Sequence, residues 1–116
     1  RYGWRSAPCD DGEAKSSKVG KYKASLFGLH DMHGNVWEWV EDCWKSGYHN
    51  APSNGEVFKN TKCDYRVTRG GSWYNIPLGV RSANRYWYMQ TYRSFNLGFR
   101  LFRNTSISVS VNSQKN

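Results

Sequence analysis

The feature that most constrains how this chain can fold is a core that has to be built from aromatic rings. Aromatic residues make up 16% of the 116 residues and include six tryptophans, whereas aliphatic side chains are sparse. Tryptophan and tyrosine carry N–H and O–H groups on their rings, and these groups need hydrogen-bond partners when the rings are buried. Because 116 residues are too few for two such cores, the sequence predicts one domain.

Short strand-like segments separated by glycine-rich turns dominate the chain, and no helical stripe of apolar residues stands out. Residues 36–40, 65–69 and 97–103 are rich in aromatic and β-branched residues, which predicts three strands. Residues 74–96 lack clean periodicity and carry no strand prediction. The sequence therefore predicts a β-rich and loop-rich domain with little helix.

Glycine, proline and asparagine mark the irregular parts of the chain. Residues 1–24 are predicted to form an irregular entry segment, and residues 45–64 a long surface loop. Residues 104–116 form a polar tail, in which the alternation over residues 107–111 suits a weak edge strand or disorder equally well. The domain prediction therefore covers residues 1–103.

Net charge and hydropathy restrict the classes of function. The formal charge is +8, from 17 basic and nine acidic residues. It favours solubility or attraction to acidic partners, and the scattered basic residues give little support for nucleic-acid binding. No run of 18 apolar residues exists to span a membrane. The chain begins at Arg1 without a leader, as a processed form or a fragment would, and its compartment stays open.

The three cysteines, Cys9, Cys43 and Cys63, restrict the redox chemistry without fixing it. An odd number excludes a complete intrachain disulfide framework, and no CxxC spacing indicates a metal site. One disulfide with one free thiol and three buried thiols are both compatible with the sequence.

Three ordered blocks carry a family resemblance: residues 27–39 with Gly-Asn-Val-Trp-Glu-Trp, residues 69–73 with Arg-Gly-Gly-Ser-Trp, and residues 81–100, which end in Leu-Gly-Phe-Arg. Together they resemble the C-terminal half of the formylglycine-generating enzyme, or sulfatase-modifying factor, family. The resemblance implies an α+β, C-type-lectin-like fold with little regular secondary structure. The family's N-terminal half has no counterpart here, which implies a fragment, a trimmed fold or a separate partner chain.

The resemblance also implies a copper-dependent oxidase, but this chain departs from the pattern. The family's two copper-binding cysteines follow the Gly-Gly-Ser-aromatic motif; here the first position falls on Asn75 and the second within residues 77–80, which contain no cysteine. Soft Cu(I) needs thiolates. We therefore expect no copper and no oxidase activity, and the spacing of His30, His33 and His49 supports no iron site.

A calcium site is the one cofactor that the resemblance still implies. Its ligands are the side chains of Asp31 and Glu38 and the backbone carbonyls of Gly34 and Val36. Hard oxygen donors on an irregular turn suit Ca²⁺. The alternative, in which Asp31 caps the turn and Glu38 pairs with an arginine, is equally compatible with the sequence.

Residues 69–100 also resemble the variable region of diversity-generating retroelement proteins, in which adenine-directed mutagenesis changes asparagine codons. Tyrosine, serine, asparagine and glycine are typical of binding loops. The predicted ligand-binding residues are those reachable from an asparagine codon by changing adenines: Tyr74, Asn75, Ile76, Gly79, Tyr86, Tyr88, Tyr92, Ser94 and Phe95.

The leading hypothesis is a non-enzymatic domain that displays residues 74–95 to a protein or a surface glycan. The alternatives are a truncated formylglycine-generating-type oxidase completed by a missing half, and a basic domain that binds nucleic acid or acidic ligands. The hypothesis predicts that Tyr74, Tyr86, Tyr88, Tyr92 and Phe95 are exposed and clustered on one face. It also predicts a scaffold with core or core-facing side chains at Trp37, Trp39, Trp73, Arg81, Arg85 and Phe99.

Overall fold

Four short strands form one sheet in the computed structural model, which describes residues 10–59 and 62–103. The strands are β1 (Trp37–Cys43), β2 (Tyr65–Arg69), β3 (Tyr86–Met89) and β4 (Leu97–Gly98), in the order β3-β2-β1-β4. A 3₁₀ helix at Pro77–Val80 is the one helical element of the described residues. None of their helices has the length and apolarity needed to cross a membrane.

Some predicted features lie outside this part of the chain. The polar tail at 104–116, with its alternating residues 107–111, falls beyond the described residues, as do residues 1–9 with Cys9. The irregular entry segment is described from residue 10 onward, where it contains turns and bends and no strand, as predicted.

The observed strands match two of the three predictions closely and shorten the third. β2 occupies the predicted residues, and β1 begins one residue later and ends three residues later than predicted because an irregularity between Trp39 and Cys43 lets it continue beside β2. The prediction of a strand over residues 97–103 was wrong beyond Gly98. There the chain leaves the sheet, and Arg100 turns toward the carboxylate of Glu38.

The edge strand β3 was missed by sequence reasoning. All four of its residues pair antiparallel with β2, from Tyr86 opposite Thr68 to Met89 opposite Tyr65. Its sequence, Tyr-Trp-Tyr-Met, places large side chains on both faces of the sheet. The alternation of apolar and polar residues that identifies a half-buried strand is therefore absent.

The centre of the sheet is the best-buried part of the described chain. Val67 and Thr68 in β2 are 2% and 0% exposed, and Trp37 at the start of β1 is 4% exposed. Burying one tryptophan ring removes roughly 200 Å² from water, which contributes about 5 kcal/mol as an upper estimate. One ring thus replaces the several aliphatic side chains that this sequence lacks.

A disulfide joins Cys43 at the end of β1 to Cys63. This settles the pairing of these two cysteines, which the sequence left open. Both ends of the long, largely exposed loop between the cysteines are thereby fixed beside the sheet. A cross-link of this span stabilises the fold by about 3 kcal/mol in the chain-entropy account.

Two of the six predicted scaffold side chains are not in the core. Phe99 is 71% exposed and Arg81 is exposed, whereas Trp37 is buried and Trp39, Trp73 and Arg85 are half-buried. Phe99 fails as a core residue because the strand ends at the preceding glycine. Four other large apolar side chains are also exposed, two just after Phe99 and two in the segment before β1: Leu101, Phe102, Leu26 and Phe27.

A tight corner after β2 determines where the following loop lies. Gly70 and Gly71 have positive φ angles of 87° and 73°, which glycine adopts without steric cost. A Cβ on Gly71 would approach the Val80 side chain to 2.6 Å and the Gly79 carbonyl oxygen to 2.9 Å. The corner therefore brings the 3₁₀ helix directly against the backbone that leaves the sheet.

Candidate functional site

The predicted ligand-binding rings are mostly exposed. The exposed fractions are 44% for Tyr74, 48% for Tyr86, 43% for Tyr92 and 71% for Phe95, and Tyr88 is half-buried. Ile76, at 41%, is also exposed. Several solvent-exposed aromatic rings within one segment provide a contact surface, since aromatic side chains dominate the energetics of many interfaces.

Three of these rings form one group on and beside β3. Tyr88 stacks nearly parallel on Tyr92, with centroids 4.4 Å apart and planes 8° apart, and lies 5.2 Å from Tyr86. From β1, Trp37 contacts Tyr86 and Trp39 contacts Tyr88, at centroid distances of 5.9 and 6.1 Å. The tryptophans of the framework thus form a floor beneath the tyrosine group.

Burial and the neighbouring rings change the acidity of the central tyrosine. Burial raises the pKa of Tyr88 above its usual value, and the nearby phenols of Tyr86 and Tyr92 raise that pKa further. The Tyr88 phenol stays protonated at physiological pH, because its pKa is raised further above that pH. The group can therefore donate hydrogen bonds to a ligand as well as pack against it.

A second group of rings lies in the loops that follow β2 and precede β4. Trp73 contacts Tyr74 at 5.4 Å and Phe95 at 5.9 Å between centroids, and Tyr74 meets Phe95 edge-on at 6.4 Å. Two predicted ligand-binding residues that are 21 residues apart in sequence, Tyr74 and Phe95, are thereby brought together over one framework tryptophan.

Asn96 connects the two groups. Its carbonyl accepts the backbone N–H of Trp37 at 2.8 Å, and its side-chain amide donates to the hydroxyl of Ser72 at 3.3 Å. The hydroxyl of Ser94 donates to the side-chain oxygen of Asn96 at 2.6 Å. The loop that carries Phe95 is thus hydrogen-bonded to the start of β1, beside the tyrosine group.

Three predicted ligand-binding residues shape these loops from inside. The side-chain oxygen of Asn75 accepts from the backbone N–H and the hydroxyl of Ser72, at 2.9 and 2.7 Å. Gly79 lies against the Asn75 side chain, and its carbonyl accepts from Asn84 at 2.8 Å. Ser94 is engaged by Asn96, as above. Asn75, Gly79 and Ser94 therefore contact other residues of the same loops, and through these contacts they hold the loops that carry the exposed rings.

Sequence reasoning missed the aromatic cluster on the opposite face of β3. Trp87 is 38% exposed, meets Tyr65 edge-on at 4.7 Å and lies 6.2 Å from Trp44. The Arg85 guanidinium lies 4.1 Å from the ring centroid of Tyr48 and 4.8 Å from that of Trp44. Pairing residues 86–89 with the alternating strand at 65–69 would have revealed this cluster.

A small cavity of about 120 Å³ borders Arg85 and the disulfide. Arg69 and Arg85 line it together with Asp42, Lys45 and Tyr48. Both arginines donate hydrogen bonds to backbone carbonyls of loops. Arg69 donates to the carbonyls of Ser82 and Asn84, and Arg85 donates to those of Lys45 and Gly47. The cavity therefore lies within a network that attaches the long loop to the sheet.

The predicted calcium ligands fit a cation only in part. One carboxylate oxygen of Asp31 accepts from the backbone of Gly20 at 2.8 Å, and the other is buried without a hydrogen-bond partner, as suits a hard cation. Glu38 does not fit, because Arg100 holds both of its oxygens, with Nε–Oε2 at 2.6 Å. Arg100 also donates to the carbonyls of His30 and Asp31.

The remaining two predicted calcium ligands flank the same turn. Gly34 donates its N–H to the Gly70 carbonyl at 2.8 Å, and Val36 lies against Gly98 of β4. The described residues include no group of three or more histidine, cysteine or carboxylate side chains arranged to hold a metal. Calcium at this turn therefore stays a hypothesis.

This small sheet, with long irregular loops joined by a glycine corner, defines a scaffold of the formylglycine-generating-enzyme type. The family model described as "Sulfatase-modifying factor enzyme 1-like domain" matches residues 2–105. The chain therefore belongs to this family.

Solved structures of the same type support the assignment. PvdO from Pseudomonas aeruginosa is 42% identical over 77% of this chain and 34% of its own, with a TM-score of 0.74. Treponema denticola variable protein 1 is 32% identical over 74% of this chain and 31% of its own, with a TM-score of 0.60. Among curated proteins, the formylglycine-generating enzyme of Mus musculus is 30% identical over 98 residues, 78% of this chain and 25% of the enzyme. The chain thus spans between 25% and 34% of the length of each of these relatives.

If calcium binds at the turn before β1, excess Ca²⁺ should raise the thermal midpoint above its value in chelator, because a ligand of the folded state stabilises that state by mass action. Asp31→Asn and Glu38→Gln should each remove the difference, whereas Asp10→Asn, on the exposed entry segment, should keep it. Thermal unfolding with and without chelator measures the effect. Equal midpoints for the unsubstituted protein would exclude the site.

Proposed function

We propose that the protein is a non-catalytic ligand-binding member of its family, which displays rings from residues 74–95 to a protein or a surface glycan. The observation that carries the proposal is the presence of two exposed ring groups mounted on framework tryptophans, one buried and one half-buried. Tyr86 and Tyr92 belong to one group and Tyr74 and Phe95 to the other, with Trp37 and Trp73 beneath them.

The arrangement of the rings favours binding energetically. A tyrosine presents a large contact area and has few rotatable bonds to immobilise. Stacking of Tyr88 on Tyr92 restrains both rings before any ligand arrives. Such pre-organisation lowers the entropy cost of association, so more of the contact energy contributes to affinity.

The oxidase alternative is disfavoured by the chemistry of the side chains. Asn75, at the first copper position of the family, is hydrogen-bonded to Ser72. Cys43 and Cys63 are joined to each other, and no cysteine follows them in the sequence. An amide oxygen is a poor ligand for Cu(I). With Cys43 and Cys63 paired, Cys9 is the one cysteine left in the sequence, so an oxidase built on this chain would need at least one thiolate from another polypeptide.

A retroelement origin of the displayed rings is supported by the likeness to the Treponema denticola variable protein. It is supported too by the separation between framework and surface. Ser72 is buried and Trp73 half-buried, whereas Tyr74 and Ile76, within the next three residues, are exposed.

The coding DNA tests that origin directly. The genome should carry a near-copy of codons 69–100 beside a reverse transcriptase gene. Mismatches should fall on adenines of the copy, at codons for the predicted variable residues such as Tyr86 and Tyr92, and should spare Ser72 and Trp73. Sequencing the neighbourhood measures this. Absence of any near-copy, or mismatches concentrated in the framework codons, would contradict diversification.

Replacing four exposed rings together (Tyr74, Tyr86, Tyr92 and Phe95, each by Ser) should abolish ligand capture on arrays of surface glycans and extracellular proteins. Loss of aromatic hot spots lowers affinity by about 2 kcal/mol or more for each ring that anchors the ligand. Phe27→Ser, which also removes an exposed ring but outside residues 74–95, is the matched control and should bind normally. Equal capture by the fourfold variant and the unsubstituted protein would contradict the proposal.

A further inference from the structure

The outer side of β3 is an open sheet edge within the described residues. β3 stands at one end of the strand order, and its known partner, β2, lies on its inner side. In an antiparallel edge strand, alternate residues direct both N–H and C=O away from the sheet. These backbone groups form a ready template for another extended chain.

β3 lacks most of the features that protect natural edge strands. Its sequence, Tyr86-Trp87-Tyr88-Met89, contains no lysine and no proline. Its pairing with β2 runs through four consecutive residues without a bulge. Charged residues, prolines and bulges are the usual means of blocking an edge, and shortness is the one that β3 retains.

Positive charge predominates around this edge, and the carboxylate that precedes β2, Asp64, is paired with Lys62 at 3.9 Å. Residues 65–103 contain seven arginines and no lysine, aspartate or glutamate. Arg66 lies opposite Tyr88, Arg85 immediately precedes β3, and Arg93 follows the turn after it. The ion pairs of the described residues are Lys21–Glu13, Lys62–Asp64 and Arg100–Glu38, so none of these three arginines is neutralised by a carboxylate there.

The guanidinium of Arg85 is held in place next to the edge. It lies over the rings of Tyr48 and Trp44 and donates to the carbonyl of Lys45 at 2.9 Å. A positioned guanidinium loses little freedom when it meets a carboxylate. The residue that immediately precedes the edge strand therefore carries a positioned positive charge.

We propose that β3 binds an extended acidic segment of a partner protein, which adds to the sheet as a fifth strand. This rests on the proposed function and specifies how the partner is held. The backbone ladder gives affinity, and side chains of alternate residues meet the Tyr86–Tyr88 face and the Trp87–Met89 face in turn. The exposed tyrosines then contact the remainder of the ligand.

Charge and geometry decide against two other occupants. A second copy of this chain would bring a further +8 charge to the same edge and be repelled. Nucleic acid would be attracted by the arginines, but its backbone has no alternating donors and acceptors to continue the β3 ladder. An acidic polypeptide satisfies both requirements.

An octapeptide of alternating Glu and Val tests the inference, with hydrogen exchange of the β3 backbone amides followed by NMR. The peptide should slow exchange at β3, and the effect should weaken as salt rises, because exposed charges are screened. Methylating alternate peptide nitrogens should weaken binding about tenfold, since two or three ladder hydrogen bonds are lost. The Lys-Val octapeptide should not bind.

Charge variants supply a matched pair. Arg93→Gln, beside β3, should reduce the affinity for the Glu-Val peptide, whereas Arg81→Gln, beside the 3₁₀ helix, should leave it unchanged. Three results would each overturn the inference. The methylated peptide could bind as well as the unmethylated one, or a twelve-nucleotide oligothymidine could protect the β3 amides in place of the peptide. The third result is self-association of the protein that protects β3 without any peptide.

The two proposals fail in different ways. If ring replacement abolishes capture on the arrays while the Glu-Val peptide has no effect on β3, the displayed surface stands and the added strand does not. If the peptide binds β3 while the ring variant still captures its ligands, the edge is a separate site and the displayed surface is wrong.

Discussion

The structure depends on one corner, at which the three sequence blocks of the family meet. Ser72 is 1% exposed, and its hydroxyl donates to Asn75 and accepts from Asn96. On either side of it, Gly70 accepts from Gly34 and Trp73 donates to the carbonyl of Asn35, at 2.8 and 2.9 Å. The turn before β1, the corner after β2 and the loop before β4 are therefore fixed by a few short hydrogen bonds. In a domain with four short strands, such bonds replace the ladders of a larger sheet.

Arginine has a second structural role in this framework, which changes the meaning of the net charge. Irregular loops contain many backbone carbonyls without a partner in a helix or sheet, and each guanidinium offers five N–H donors. Arg69, Arg85 and Arg100 donate to carbonyls of distant loops. Much of the +8 charge is thus explained by loop fixation, which weakens the case for a general nucleic-acid surface. Near β3, Arg93 donates to the carbonyl of its neighbour Tyr92, so its charge remains available for a partner.

The family blocks predicted the scaffold well because glycine corners and large rings at fixed spacing leave few alternatives. β2 was predicted to the residue, and four of the five rings that were expected to be exposed are exposed, whereas Tyr88 is half-buried. Local patterns failed where tertiary contacts decide. β3 has rings on both faces, and Phe99 follows a glycine at which Arg100 turns the chain out of the sheet toward Glu38. The internal roles of Asn75 and Ser94 depend on partners that only the folded chain brings near. The pairing of Cys43 with Cys63 could not be predicted from the positions and spacing of the three cysteines.

The central claim is that framework and surface are separable: the corner and the β1–β2 pair hold the fold, and the rings on β3 and the loops can change freely. Backbone hydrogen exchange of Val67 and Thr68 tests this most directly, in a set of variants that differ only at Tyr74, Tyr86, Tyr92 and Phe95. The account predicts protection at these amides within about 0.5 kcal/mol of the unsubstituted protein throughout the set. Trp37→Ala, as reference, should lower that protection by about 3–5 kcal/mol. Loss of Val67 and Thr68 protection in the ring variants, comparable with that in Trp37→Ala, would contradict the account.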